Sequence, residues 1–78
     1  MSDKQAIRVQ IFGKVQGVWY RNWTDETAQA LGLHGWVRNR LDGSVEAMFV
    51  GSGAAIDEMV TACHDGPRLA RVDRIDRR

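Results

Sequence analysis

The stretch from Gly13 to Arg21, with the sequence Gly-Lys-Val-Gln-Gly-Val-Trp-Tyr-Arg, constrains the fold of this chain more than any other. Before it, residues 6–12 carry a branched aliphatic side chain at every second position, which is the pattern of a half-buried strand. After it, a run with helical spacing begins near Asn22. We therefore expect a strand that leads through a glycine-containing loop into a helix N-terminus. The backbone N–H groups of such a segment favour an anion.

The first helix is predicted to run from Asn22, a favoured N-cap residue, to Gly32, a favoured C-terminal stop. Asp25 and Glu26 would then lie in its first turn, where negative charge complements the helix dipole. The side chains expected to face the sheet are Trp23, Thr27, Ala30 and Leu31.

The remaining segments read as strand, strand, helix and strand. Residues 36–40 and 44–50 are predicted strands joined by Asp42-Gly43, a strong hairpin sequence, with residues 33–35 as a connector before them. Ser52 is expected to cap a second helix that ends at Gly66-Pro67. Its apolar stripe consists of Ala55, Ile56, Met59, Val60 and Cys63.

Residues 69–76 have β-like composition, but Val72 and Ile75 are out of phase for one face, which predicts a bulge or an early exit from the sheet. The resulting order is β-α-β-β-α-β. Two split βαβ halves of this kind give a ferredoxin-like α+β sandwich, an antiparallel sheet with two helices on one face. A length of 78 residues allows one domain, residues 1–78, and no second core.

Composition argues against several functional classes. The net charge is +1, from 11 basic and 10 acidic residues, which gives no electrostatic footprint for nucleic acid or an anionic membrane. Cys63 is the only cysteine, so no internal disulfide can form, and neither a signal peptide nor an apolar stretch of membrane-spanning length is visible. We expect a cytoplasmic monomer that acts on a small molecule, without nucleic acid or membrane.

Arg21 and Asn39 are the candidate catalytic residues. Arg21 closes the glycine-containing loop with a planar, permanently charged group suited to phosphate, although an exposed arginine after an ordinary turn would look the same. Asn39 ends the second predicted strand, where its amide could accept from water and donate to phosphate; alone it could equally be a polar strand end. The loop lacks the Ser or Thr and the glycine spacing of a P-loop, and the sequence shows no metal-ligand cluster.

A site with an arginine and an amide but no general acid suits a substrate whose leaving group needs no proton. Cleavage of a carboxylic–phosphoric anhydride releases a carboxylate of low pKa (~4). The transfer then requires mainly positioning and neutralisation of the phosphoryl oxygens. These residues are consistent with an acyl phosphate substrate but do not select one unaided.

Over nearly its whole length the chain resembles the acylphosphatase family. The stretch 13–21 resembles the first motif of that family, and Gly-Trp-Val-Arg-Asn at 35–39 with Asp-Gly-Ser-Val-Glu at 42–46 resembles the second. The resemblance implies hydrolysis of an acyl phosphate to a carboxylate and inorganic phosphate without a metal or other cofactor. It implies that Arg21 binds the phosphate, that Asn39 orients the nucleophilic water, and that the backbone of one loop, here named the cradle, completes the phosphate site: Lys14, Val15, Gln16, Gly17, Val18, Trp19 and Tyr20.

Two departures from the family pattern stand out. Arg40 follows Asn39 where the family often has Thr, and the chain ends at Arg78, before the short closing strand that family members usually have, which would leave a sheet edge unpaired. Two alternative functions stay open from the sequence. An RNA-recognition domain of the same topology would need a basic aromatic strand, which residues 45–50 do not provide. The chain could also be an acylphosphatase-like domain of a larger carbamoyl-phosphate-using maturation factor.

Overall fold

The computed structural model describes residues 3–78 and contains one four-stranded sheet with two helices. The strands are β1 (Lys4–Lys14), β2 (His34–Asn39), β3 (Val45–Ser52) and β4 (Arg71–Arg77), and the helices are α1 (Tyr20–Ala30) and α2 (Gly53–Asp65). All pairings are antiparallel and the strand order is β2-β3-β1-β4. The predicted ferredoxin-like βαββαβ sandwich is therefore confirmed.

Both helices cover the same face of the sheet, because they share one core with its inward side chains. Val9 and Ile11 of β1 and Ala47 and Phe49 of β3 are buried there, as the alternating pattern predicted. From α2 the core receives Ile56, Met59, Val60 and Cys63. The buried Cys63 confirms its interpretation as a small apolar core residue.

The start of α1 corrects the sequence prediction. The helix begins at Tyr20, not after an Asn22 cap, so Asp25 and Glu26 lie beyond its first turn. Its buried residues are Tyr20, Thr24 and Ala28, at intervals of four, whereas Ala30 is exposed. Asn is a statistically favoured cap, but here the helix starts three residues earlier, with Trp19 at the N-cap position and the Tyr20 ring buried in the core.

The bulge expected near residues 69–76 is present. Phe12 pairs with Arg74 and Gly13 with Val72, so Asp73 is an additional residue opposite the junction of Phe12 and Gly13. This shift brings Val72 and Ile75 to the same face. Gly13 has φ 135°, and a Cβ on it would lie 2.1 Å from the Arg71 carbonyl oxygen, so the close approach of the two strands requires glycine.

β2 begins earlier than predicted, since His34 and Gly35 belong to the strand and not to a connector. Asn39 is its last residue, so the strand ends one residue before the predicted end at Arg40. Ser52 caps α2 by accepting a hydrogen bond from the Ala55 N–H, as predicted. None of the helices in residues 3–78 has the length and apolar character required to cross a membrane.

Candidate active site

The candidate site lies at one end of the sheet, where β1 and β2 both finish. The two strands are parallel to each other because each is antiparallel to β3 between them, so Lys14 and Asn39 end at the same edge. Ile11, Val45 and Asn39 form one cross-strand row. Since Ile11 and Val45 face the core, the Asn39 side chain points toward the helix-covered face, from which α1 and the cradle rise.

The first turn of α1 presents unpaired backbone donors. The N–H groups of Tyr20, Arg21 and Asn22 have no acceptor in the described part of the chain, and Trp23 is the first residue whose N–H bonds back, to Trp19 O at 3.0 Å. Trp19 sits at the N-cap position in the left-handed region, φ 66°, and offers no capping side chain. The donors that an Asn or Ser cap would occupy are thus available to an anion.

A recess of about 370 Å³ contains most of the predicted site residues. Arg21 and Asn39 both line it, and so do five members of the cradle, together with Asn22, which the sequence analysis had assigned only to a helix cap. The lining members of the cradle are Val15, Gln16, Gly17, Trp19 and Tyr20.

Lys14 and Val18 do not line this recess. Lys14 is the exposed last residue of β1 and pairs with Arg71 of β4. Val18 is 5% exposed, so its side chain belongs to the core beneath the loop. The structure therefore brings the cradle together with Arg21 and Asn39, with two exceptions. Lys14 lies outside the recess, and the Val18 side chain packs in the core beneath the loop.

Arg21 has an exposed guanidinium with no acidic partner among residues 3–78, where the ion pairs join other residues. An arginine in a first helical turn meets the unfavourable positive end of the dipole, so an anion bound there would relieve repulsion as well as gain hydrogen bonds. The location of Arg21 thus favours the binding of an oxyanion group.

The Gln16 side chain connects the cradle to the β2–β3 turn. Its Nε2 donates to the carbonyl oxygens of Arg40 at 2.8 Å and of Ser44 at 2.9 Å. The Arg40 N–H also donates to Ser44 O at 2.9 Å, closing the turn. One amide therefore holds the loop that surrounds the recess against the residue that follows Asn39. From the sequence, only the backbone of Gln16 was predicted to belong to the site, and this side-chain link was not predicted.

The turn itself is fixed by Asp42 and Ser44. The Asp42 carboxylate accepts from the Ser44 hydroxyl and from the Ser44 N–H, the latter at 2.9 Å, and these hydrogen bonds hold the pKa of Asp42 below its ordinary value. Gln10 Nε2 donates to the Ser44 hydroxyl at 3.0 Å from the neighbouring strand.

Glu46 collects three arginines on the sheet face opposite the helices. Its side chain is 6% exposed and lies 2.6 Å from the Arg38 Nη2, 3.0 Å from the Arg40 Nη1 and 3.7 Å from the Arg8 Nε. The hydrogen bond from Arg38, joined by that from Arg40, keeps the pKa of Glu46 below its ordinary value despite burial. The residues on both sides of Asn39 are thereby held on one face while Asn39 points to the other.

Glu46 explains the departure at Arg40. An Asn–Thr sequence would offer a hydroxyl after Asn39, whereas this chain places a guanidinium that binds Glu46. This cluster was not predicted from the sequence. The alternation of Arg38, Asn39 and Arg40 places the two arginines on one face of the strand, which could have indicated an ion pair with Glu46.

Tyr20 anchors the cradle from inside the protein. Its hydroxyl donates to the Cys63 carbonyl oxygen at 2.6 Å, and its ring packs where a Cβ on Gly66 would approach within 2.6 Å. Burial raises the pKa of the Tyr20 phenol far above its ordinary value, and burial likewise raises the pKa of the Cys63 thiol to about 11. Both groups are therefore neutral structural elements, and Tyr20 contributes only its backbone to the recess.

Among residues 3–78 no group of three or more His, Cys, Asp and Glu side chains is arranged to hold a metal ion. The recess instead offers backbone donors, a guanidinium and the amides of Asn39 and Asn22. Such a set can bind and polarise a phosphoryl group and hold a water molecule beside it.

Known proteins are similar to this chain in sequence and in fold. A family model described as Acylphosphatase matches residues 7–78. The acylphosphatase of Rhodospirillum rubrum is 62% identical over 69 residues, which is 88% of this chain and 76% of that protein. An acylphosphatase structure from Coxiella burnetii matches with a TM-score of 0.94 and 33% identity, over 97% of this chain and 80% of that chain.

A second kind of similarity concerns a longer protein. The structure of full-length HypF in its phosphate- and nucleotide-bound form matches all of this chain with a TM-score of 0.92 and 30% identity, but the match covers only 10% of HypF. The family resemblance inferred from the two motifs is confirmed: this chain belongs to the acylphosphatase family, the hydrolases of acyl phosphates.

Proposed function

We propose that Arg21, the backbone of the cradle and Asn39 carry out acyl phosphate hydrolysis in this protein without a metal. The observation that carries the proposal is the shared recess: Arg21, the free N–H groups of the first turn of α1 and Asn39 surround one space. In this proposal the guanidinium and the N–H groups bind the phosphoryl oxygens, and Asn39 orients the attacking water.

The reaction needs few proton transfers. The Asn39 amide oxygen accepts a hydrogen bond from the water, which forms a bond to phosphorus while the bond from phosphorus to the acyl oxygen breaks. The electron pair of that bond leaves on the carboxylate, which requires no protonation because of its low pKa (~4). The protons of the water remain with the phosphate product or pass to solvent.

We further propose that residues 1–78 form one domain that acts in the cytoplasm as a monomer. The match of this chain to 76% of the Rhodospirillum rubrum enzyme supports the assignment of these residues to one acylphosphatase domain. The small-molecule substrate fits the recess, and the net charge of +1 gives little attraction for nucleic acid.

The test is steady-state hydrolysis of benzoyl phosphate, with p-nitrophenyl phosphate as the phosphomonoester comparison. The wild type should hydrolyse the acyl phosphate selectively, and Arg21→Ala should lower kcat/KM by roughly 100-fold or more, since it removes a charged ligand of the phosphoryl group. EDTA should leave the wild-type rate unchanged.

Arg77→Ala is the matched control. Arg77 lies on β4 opposite Val9 of β1, away from the strand ends where the site is located. It should behave as the wild type. Turnover by Arg21→Ala close to that of the wild type would contradict the assignment of the site, and loss of activity in EDTA would contradict hydrolysis without a metal.

A further inference from the structure

We propose that the acyl group of the substrate lies in a second recess beside the cradle, and that the preferred substrates are acyl phosphates with an apolar acyl group of several carbons. The second recess has a volume of about 280 Å³ and is lined by Val18, Trp19, Pro67, Arg68 and Leu69. This inference rests on the proposed function, because it takes the first recess as the phosphate site.

The two recesses have one lining residue in common, Trp19. This residue lines the recess that contains Arg21 and Asn39, and it also lines the second one. Its side chain is 73% exposed, and its backbone lies in the left-handed region. An acyl group attached to a phosphate in the cradle would therefore contact the Trp19 ring as soon as it extended toward residues 67–69.

The direction of the leaving group follows from the strand order. Phosphoryl transfer places the attacking and leaving oxygens roughly in line on opposite sides of phosphorus. In the order β2-β3-β1-β4, Asn39 lies at the end of β2, and the segment 67–69 leads into β4 on the other side of β1. The cradle, which continues β1, lies between them. A water held by Asn39 thus expels the carboxylate toward the second recess.

The lining of the second recess suits an apolar acyl chain and the carboxylate that forms when the bond to phosphorus breaks. Trp19 and Leu69 are two of the four large hydrophobic residues exposed among those described, with 66% of Leu69 accessible. Covering such surface with an acyl chain is favourable by about 25 cal/mol per Å² of apolar area removed from water. Arg68 is the only charged residue of the lining, and its sign favours the carboxylate product.

The experiment compares octanoyl phosphate with acetyl phosphate for the wild type and for Leu69→Ser. Because each buried methylene contributes to binding, the wild type should show a kcat/KM for octanoyl phosphate about tenfold or more above that for acetyl phosphate. Leu69→Ser should reduce this preference about threefold or more, because it should raise KM for octanoyl phosphate more than KM for acetyl phosphate.

Leu41→Ser is the matched control. Leu41 is also an exposed leucine, but it lies in the β2–β3 turn, on the Asn39 side of the cradle. It should leave the chain-length preference unchanged. Equal kcat/KM values for the two substrates in the wild type, or an equal loss of preference in Leu41→Ser and Leu69→Ser, would overturn the inference while the proposed function stands. Failure to hydrolyse either acyl phosphate would instead overturn the proposed function.

Discussion

The cradle, residues 14–20, and the hairpin end, residues 39–46, both contribute to the recess, the hairpin end through Asn39. The two segments are held in place by different forces. Beneath the cradle, Val15, Val18 and Tyr20 are at most 5% exposed, and their side chains belong to the apolar core. At the hairpin end, polar contacts dominate: the Asp42–Ser44 hydrogen bonds, the Gln16 amide bridge and the arginines around Glu46.

We attribute this difference to the different tasks that the proposed mechanism gives to the two segments. The cradle needs a fixed curve of backbone whose N–H groups stay unpaired, and packing from below achieves this without using those donors. The hairpin end must aim one side chain, Asn39, away from its two neighbours, and directional ion pairs to Glu46 do so by holding Arg38 and Arg40 on the opposite face. We therefore expect the two segments to respond differently to truncation of apolar groups and to acid.

The largest effect on stability is expected for Tyr20→Ala. This change removes a buried ring and the hydrogen bond to Cys63, which should lower the free energy of unfolding by roughly 3–5 kcal/mol. Urea denaturation measures it. Tyr20→Phe retains the ring and should cost only about 1 kcal/mol, the value of one hydrogen bond. A loss in Tyr20→Phe as large as in Tyr20→Ala would show that polar contacts, not packing, hold the cradle.

A smaller, pH-dependent effect is expected for Glu46→Gln. The folded-state pKa of Glu46 is lowered, so its contribution to stability is present above the ordinary carboxyl value of about 4.5 and is lost as pH falls through the lower folded-state value. The thermal midpoint of the wild type should exceed that of the variant at pH 7, and the two should converge in acid. Calorimetry across this range measures the difference.

Glu58→Gln provides the control for that comparison, since Glu58 is an exposed carboxylate on α2. Its thermal midpoint should follow the wild-type curve at every pH. A Glu46→Gln curve parallel to that of the wild type from pH 7 into acid would contradict the role assigned to the arginine cluster.

The fold was predictable because the local sequence pattern of each strand and helix agreed with the type of element that the structure contains there. Alternating apolar residues, Asp42-Gly43 and the Ser52 cap each identified their element, and the phase of Val72 and Ile75 indicated the bulge. The start of α1 was misplaced because a favoured cap residue, Asn22, follows the true start. In this protein Trp19 takes the cap position without a capping group, a local departure from propensity that leaves donors free at the site.

For the candidate site, the sequence pointed to individual residues but not to the contacts among them. Arg21 and Asn39 were identified from residue type, from position at element ends and from the family motifs, and the structure places them around one recess. The Gln16 bridge and the Glu46 cluster join residues between 6 and 38 positions apart. Such contacts depend on strand register, which a single sequence specifies only after the pairing of strands is known.

The central claim is that the cradle binds the phosphate while the hairpin end supplies the group that orients water. Inhibition of benzoyl phosphate hydrolysis by inorganic phosphate in Asn39→Ala tests it most directly. We predict that kcat falls roughly 100-fold or more while the phosphate inhibition constant stays within about twofold of the wild-type value, because phosphate does not depend on the water-orienting group. A phosphate inhibition constant that rises in proportion to the loss of kcat would contradict this division of roles.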